Sequence, residues 1–375
     1  MPIQTHETAL PALGPGASLR LVSHEFSGAG STRSAYIQAG LHADEHPGLL
    51  VIQHLLELLG DLHEQGRILG RIVIRPFANP VGLTQNLFGC WAGRFNLANG
   101  ENFNRNFPDL IPALDAQLAS AATAAQGPQQ LLSNALETLP AHDAVSATRQ
   151  ALLRDALQHD LVLDLHCDTA GVLHLYSTHA QRERAVSLAA CLGMRVVFLE
   201  ESAGGRPFDE SCNRPWNWLV ENGFIDATAR PFAASIELRG QADVDDQLAR
   251  EDALGLLRFL ASEGLVRLDD NEAMPIDTVQ VYPLEGASHL PSPGNGLLVW
   301  KKRPGDSVAC GELIAELVPL DAPLGSERIP ICSDVEGVIV VQPLFKLVRS
   351  GQRVALLAGT TPLAHRMGGQ LLQHF

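Results

Sequence analysis

Residues Arg33-Ser34-Ala35-Tyr36-Ile37-Gln38-Ala39-Gly40-Leu41-His42-Ala43-Asp44-Glu45-His46-Pro47-Gly48 read as a strand, a turn and the opening of a helix. Arg33 to Ala39 is the strand-like run. From Pro47 onward, Leu49, Leu50, Ile52, Leu55, Leu56 and Leu59 recur at helical spacing, with Pro near the start, where a helix tolerates it. Gly60-Asp61 stops the pattern. Gly70 to Phe77 then predicts a second strand, ended by Asn79-Pro80. This alternation is the strand–helix–strand rhythm of an α/β protein.

The rhythm continues downstream. Leu161 to Leu165 is a short apolar run of the kind buried in a parallel sheet. Strands are expected at 171–176, 195–199 and 233–238, with helices at 182–192, 213–222 and 244–264. Residues 1–30 read as an edge segment, and 111–160, rich in Ala, Gln and Leu, as one or two helices. Residues 81–110 form a long Asn- and Gly-rich stretch whose aromatic and Arg content points to a functional loop. After about residue 270, short strands between Gly and Pro replace the helices. The expected fold is α/β: a mixed, mainly parallel sheet with helices on both faces over 1–270, then a β-rich domain over 271–375.

Composition narrows the function classes. The 375 residues are 46% apolar and 18% charged, which suits a globular chain with a sizeable core. A net charge of −15 argues against nucleic acid or an anionic membrane as main partner. No apolar run reaches membrane-spanning length, and the first residues carry no secretory pattern, so the expected location is the cytoplasm. The six cysteines are scattered without a CxxC pair and read as reduced thiols.

The chemistry concentrates at strand ends. His42 and Glu45 lie three apart just after the first strand, and His166 ends the apolar run in Asp164-Leu165-His166-Cys167-Asp168. In an open α/β sheet, ligands gather beyond the carboxyl ends of the strands. Catalytic zinc sites commonly use three His/Glu ligands and leave one position for water. His42, Glu45 and His166 are therefore expected to hold one zinc ion per chain. Cys167 points the opposite way on its strand. Asp44 and His46 take flanking or supporting roles.

Taken in order, several motifs carry a resemblance. They are HxxE, a following helix, Phe103-Asn104-Arg105-Asn106 on a long loop, a strand-end His in Asp-Leu-His, and Glu237 in Ser235-Ile236-Glu237-Leu238. The order resembles the zinc carboxypeptidase superfamily, and more closely its succinylglutamate desuccinylase/aspartoacylase branch. The resemblance covers about residues 30–270, and more loosely the tail. It implies His42, Glu45 and His166 as metal ligands, and Glu237 as general base, able to take a proton from water and return it to a leaving amine. It implies Asn104 and Arg105 as binders of a substrate carboxylate, for which an Arg fork is suited, and Arg94 as the group stabilising the oxyanion.

Arg206 or Arg214 could add a second anion anchor, and Arg239 a structural ion pair. Two features depart from the branch pattern: Ala43 stands where Gly is usual, and no catalytic Tyr is firmly placed, Tyr282 being the weak candidate. The tail resembles a lipoyl/biotinyl-like sandwich, but residues 319–330 hold no Lys, so no carrier role is expected.

The expected activity is zinc-dependent deacylation of a small N-acylated amino acid. The rivals are a metallocarboxypeptidase acting on peptides and a non-catalytic scaffold. A two-fold homodimer is the default assembly by homology alone.

Overall fold

Residues 2–119, 126–269 and 278–371 are described by the computed structural model of the chain. In chain order the elements begin with β1 (Gln4–Leu10), β2 (Leu19–Ser27), β3 (Ser34–Ala39), α1 (Pro47–Glu64) and β4 (Arg71–Arg75). A small hairpin follows, β5 (Asn86–Leu87) and β6 (Cys90–Trp91), then α2 (Ile111–Leu118), α3 (Pro128–Glu137), α4 (Ala144–Ala156) and β7 (Leu161–Asp168). Next come β8 (Ala170–Gly171), β9 (His174–Thr178), α5 (Arg182–Leu192), β10 (Val196–Glu200), α6 (Phe208–Glu221), β11 (Phe232–Gly240), α7 (Asp246–Ser262) and β12 (Gln280–Pro283). The last eight strands are β13 (Ala287–Pro291), β14 (Gly296–Trp300), β15 (Ser307–Val308), β16 (Leu313–Val318), β17 (Ile329–Cys332), β18 (Gly337–Gln342), β19 (Leu347–Val348) and β20 (Arg353–Gly359).

The chain forms two compact units. One comprises Met1–His166, Gly204–Ser235 and Asp245–Met274; the other Cys167–Ala203, Ile236–Val244 and Pro275–Phe375. The sequence boundary at 270/271 lies outside the described residues. The second unit also takes in more of the chain than the tail alone. Within it, β12 extends the sheet edge at β10, and β8 pairs with β18, so the tail and residues 167–203 share hydrogen bonds.

In the first unit the strand order is β1-β2-β4-β3-β7, then the Phe232–Ser235 part of β11. β3 runs parallel to β4 on one side and to β7 on the other, while β1, β2 and β4 pair antiparallel. In the second unit the Ile236–Gly240 part of β11 is followed by β9, β10 and β12, with β9, β10 and β12 parallel. The large sheet is thus mixed and mainly parallel. β3 is buried along its whole length, as a central parallel strand should be.

Helices cover both faces of the first unit's strands. Side chains alternate along β3 and β7, so Tyr36 and Val162 lie on one face, Ala39 and Leu165 on the other. Tyr36, Val73, Val162 and Ala233 cluster with Leu114 of α2, Leu132 of α3, Leu152 of α4 and Phe208 of α6. On the opposite face Gly48 of α1 lies close enough to Ala39 and Leu165 that an added Cβ would stand 3.2 and 3.0 Å from theirs. α1 buries Val51, Ile52, Leu55, Leu59 and Leu62, and packs along α7.

In the second unit two further sheets are antiparallel, β13-β20-β18-β15 with β8, and β17-β16-β14-β19. They share a core of Leu298, Ile314, Leu317, Ile339, Val354 and Leu357.

Two parts differ from the sequence expectation. Among the described residues, 1–30 hold two long paired strands, and 111–160 hold three helices. The third is set off by a capping box, with the Asp143 carboxylate accepting the Val145 and Ser146 N–H groups.

Candidate metal centre

The turn after β3 needs a backbone that only glycine adopts freely. Gly40 has φ +70, which lets the chain leave the strand and start α1 within seven residues. Glu45 N–H donates to His42 O and Leu49 N–H to His46 O, closing the turn. Ala43 is buried and its N–H donates to Gly93 O at 3.0 Å, so the loop carrying Arg94 is laid against the HxxE turn. Ala43 thus fills the place expected for a small residue.

His42, Glu45 and His166 come together, with candidate ligand atoms all within 4.8 Å of one another. Each is 3% exposed. His42 Nδ1 lies 2.9 Å from Glu45 Oε1, and His166 Nδ1 lies 2.8 Å from Glu45 Oε2. The two Nε2 atoms face outward from this centre. That of His42 meets Asn102 Oδ1 at 2.9 Å, and that of His166 meets Asp164 Oδ2 at 2.8 Å. Asn102 Oδ1 also accepts the Asn104 N–H, which fixes it as the oxygen of the amide.

Both outward partners can only accept, so both Nε2 atoms carry hydrogen. The neutral rings then present bare Nδ1 lone pairs to carboxylate oxygens. Such contacts repel unless a proton or a cation sits between them. Two imidazole nitrogens and a carboxylate converging this way are the donor set of a zinc or similar divalent site.

Electrostatics agree. Burial would raise the Glu45 pKa, but His42 and His166 hold it far below the usual carboxylate range. Burial and Arg94 push His42 down. Burial opposes charge on His166 too, yet Asp164 and Glu45 raise it well above the ordinary imidazole value. Glu45 therefore stays ionised, and positive charge is favoured at His166 but not at His42.

The other expected residues are placed as follows. Arg94 donates to Glu45 Oε1 at 3.1 Å from a half-exposed position, so its guanidinium adjoins the triad. Asn104 is buried; its Oδ1 accepts the Phe208 N–H at 2.8 Å and its Nδ2 lies 3.5 Å from His166 Nε2. Arg105 Nη1 donates to Asn104 O, and its stem passes beside Gly205. Arg206 lies 4.0 Å from Asp109, and Arg214 donates to the same carboxylate at 3.2 Å.

Of the flanking pair, burial raises the Asp44 pKa, and His46 meets the Trp91 ring edge-on at 6.2 Å. Glu237 belongs to the second unit, half-buried on β11. There it adds to the burial that pushes Tyr176 well above its usual range, together with Asp168, which accepts from Arg353 at 2.7 Å.

Two residues at the triad escaped the sequence reading. Asn102 orients His42, and its Nδ2 is buried without a hydrogen-bond partner among the described residues. The Asn-x-Asn spacing to Asn104 was the available signal. Asp164 orients His166 and stood in the quoted Asp-Leu-His motif.

The family model for the succinylglutamate desuccinylase/aspartoacylase catalytic domain matches residues 31–262. Comparison with the curated proteins gives no match. Among solved structures, a succinylglutamate desuccinylase/aspartoacylase family protein from Shewanella amazonensis SB2B superposes with TM-score 0.80 at 24% identity, over 95% of this chain and 98% of that one. One of the same description from Shewanella frigidimarina NCIMB 400 gives 0.80 at 23%, over 95% and 97%. The product-bound ectoine utilization protein EutE (DoeB) from Ruegeria pomeroyi gives 0.69 at 18%, over 96% and 95%. At these identities the likeness to the structures is one of fold. Among the described residues no helix is long and apolar enough to cross a membrane.

Proposed function

The chain belongs to the succinylglutamate desuccinylase/aspartoacylase family, and from that premise we propose that it is a zinc-dependent amidohydrolase that removes the acyl group from an N-acyl amino acid or a similar small amide. The observation that carries the reading is the convergence of His42, Glu45 and His166, with both outward ring nitrogens committed to acceptors. Zinc held there would polarise the acyl carbonyl and lower the pKa of water.

The chain's own groups do the rest. Glu237 takes a proton from the attacking water as its oxygen bonds to the acyl carbon. It then delivers that proton to the nitrogen as the C–N bond breaks. Arg94 offers its guanidinium to the oxyanion. Asn104 and Arg105 bind the substrate carboxylate, with Arg206 as a further anchor. The substrate is a small N-acylated molecule, and neither nucleic acid nor membrane is a partner. A cytoplasmic homodimer is the working assembly. Residues 1–270 carry the hydrolase chemistry, and 271–375 a β-rich module without a carrier lysine.

Metal analysis tests the centre. The parent should hold one zinc per chain, and His42→Ala and His166→Ala should lose it; full zinc in both variants would end the reading. Glu237→Gln should keep the metal and lose nearly all turnover. N-acyl amino acids and short peptides, assayed with and without chelator, test the substrate class. Turnover of peptides alone would make the chain a carboxypeptidase.

A further inference from the structure

A parallel sheet covered on both faces normally offers apolar rows to its helices, but the row behind His166 is polar. Arg75 on β4, Gln38 on β3 and Asp164 on β7 are cross-strand partners in register. Tyr36 stands on the same face, two residues before Gln38. Arg75 is 1% exposed and the other three are wholly buried.

Their hydrogen bonds run in one direction. Arg75 Nε donates to the Tyr36 hydroxyl at 2.9 Å. Tyr36 donates to Gln38 Oε1 at 2.8 Å. Gln38 Nε2 donates to Asp164 Oδ1 at 3.1 Å, and Asp164 Oδ2 accepts from His166 Nε2. Arg75 is anchored in turn by the Asp155 carboxylate and the Val22 carbonyl.

Each group has an orientation that the next one fixes. The Gln38 amide could flip and turn its oxygen toward Asp164, which would repel. The Tyr36 proton holds that oxygen in place. The Tyr36 hydroxyl could turn its proton elsewhere, but the Arg75 donor occupies its lone pair. Burial pushes the Tyr36 pKa upward, so the hydroxyl stays a donor.

We propose that Gln38, Tyr36 and Arg75 are positioning residues for the metal centre, locking the Asp164 carboxylate in the orientation that turns the Nδ1 lone pair of His166 toward Glu45. This rests on the reading of the triad as a metal site. A row serving only to fill the sheet interior would have no bearing on metal affinity.

The test uses the full chain, stripped of metal and titrated with zinc against a chromophoric chelator. The absorption spectrum of the cobalt-substituted protein reports ligand geometry, and thermal unfolding of the metal-free protein reports the fold. Gln38→Leu should weaken zinc binding by about 10- to 100-fold and alter the cobalt spectrum. Tyr36→Phe, which removes one oxygen, should weaken it by less, with metal-free unfolding close to the parent's. Gln38→Leu with the parent's affinity and spectrum overturns the proposal. Should that variant not fold, the same result in Tyr36→Phe does so. Weakening by Gln38→Leu alone overturns it for Tyr36 and Arg75. A parent that takes up no zinc removes the metal reading itself, before any variant is compared, and the proposal with it.

Discussion

Replacing Gly93 by alanine would drive the loop that carries Arg94 away from the turn that carries His42 and Glu45. The Cβ would stand 2.2 Å from Asp44 N and 2.4 Å from the Ala43 carbonyl carbon. Non-bonded heavy atoms sit at about 3.5–4.0 Å, so two pieces of backbone must part by roughly 1 Å or more. That separation breaks the Ala43 N–H to Gly93 O bond, about 1 kcal/mol. Overpacking strain adds about 1–3 kcal/mol. The expected loss is about 2–4 kcal/mol in unfolding free energy, read by urea denaturation. His42 and Glu45 move as well, so on the proposed metal reading zinc affinity should fall by about tenfold or more. Gly89 in the neighbouring hairpin is the control. It has φ +85 and, among the described residues, nothing within 4 Å of its added Cβ, so alanine there costs about 1–2 kcal/mol of backbone strain and leaves zinc affinity unchanged. Parent-like stability and affinity in Gly93→Ala would refute this account of how the HxxE turn is held.

Acid should destabilise the fold through buried neutral histidines. Burial lowers His159 and His174 to about 4; His159 donates from Nδ1 to Asp155 O, while Arg71 points a donor at its Nε2. The unfolded chain binds these protons first, so stability is full above pH ~6.5 and falls as pH drops toward 4. The loss is at most about 3 kcal/mol per histidine, and urea midpoints across that window should be flatter for His159→Gln. A thiol reagent should label three cysteines in the native protein, Cys90, Cys310 and Cys332, and all six after unfolding, because Cys167, Cys191 and Cys212 are buried. Asp143→Ala should cost about 1 kcal/mol by removing the cap of α4, without effect on zinc content.

The parts of the fold that were legible have strong periodicity. α1 announces itself by Leu and Ile at helical spacing after a Pro, and β3 by its run into Gly40. β1 hid because six of its seven residues are exposed, leaving no apolar alternation to read. Within 111–160 the Ala, Gln and Leu composition is continuous, and the break between α3 and α4 rests on Pro140 and the Asp143 cap alone. At the site, the convergence of the candidate triad could be read because motif spacing and strand ends are local features. The polar row could not. Arg75, Gln38 and Asp164 are each unremarkable in their own strands, and only the register of β4, β3 and β7 sets them side by side. Register is a property of the assembled sheet, and one residue of slip would turn every one of them to the other face.

The interleaving of the second unit along the chain has a bearing on how the protein is made. β9 and β10 leave the ribosome early, with Val196 to Leu199 forming an apolar edge whose parallel partner is β12. That partner begins at Gln280, so about 80 residues must be added between the end of β10 and its arrival. At ~5–20 residues per second the wait is on the order of 4–16 s. For that interval the nascent chain carries an unpaired strand edge of the kind that pairs with strangers. A chaperone that shields strand edges would find its substrate there, and slow translation between residues 200 and 280 would lengthen the exposure.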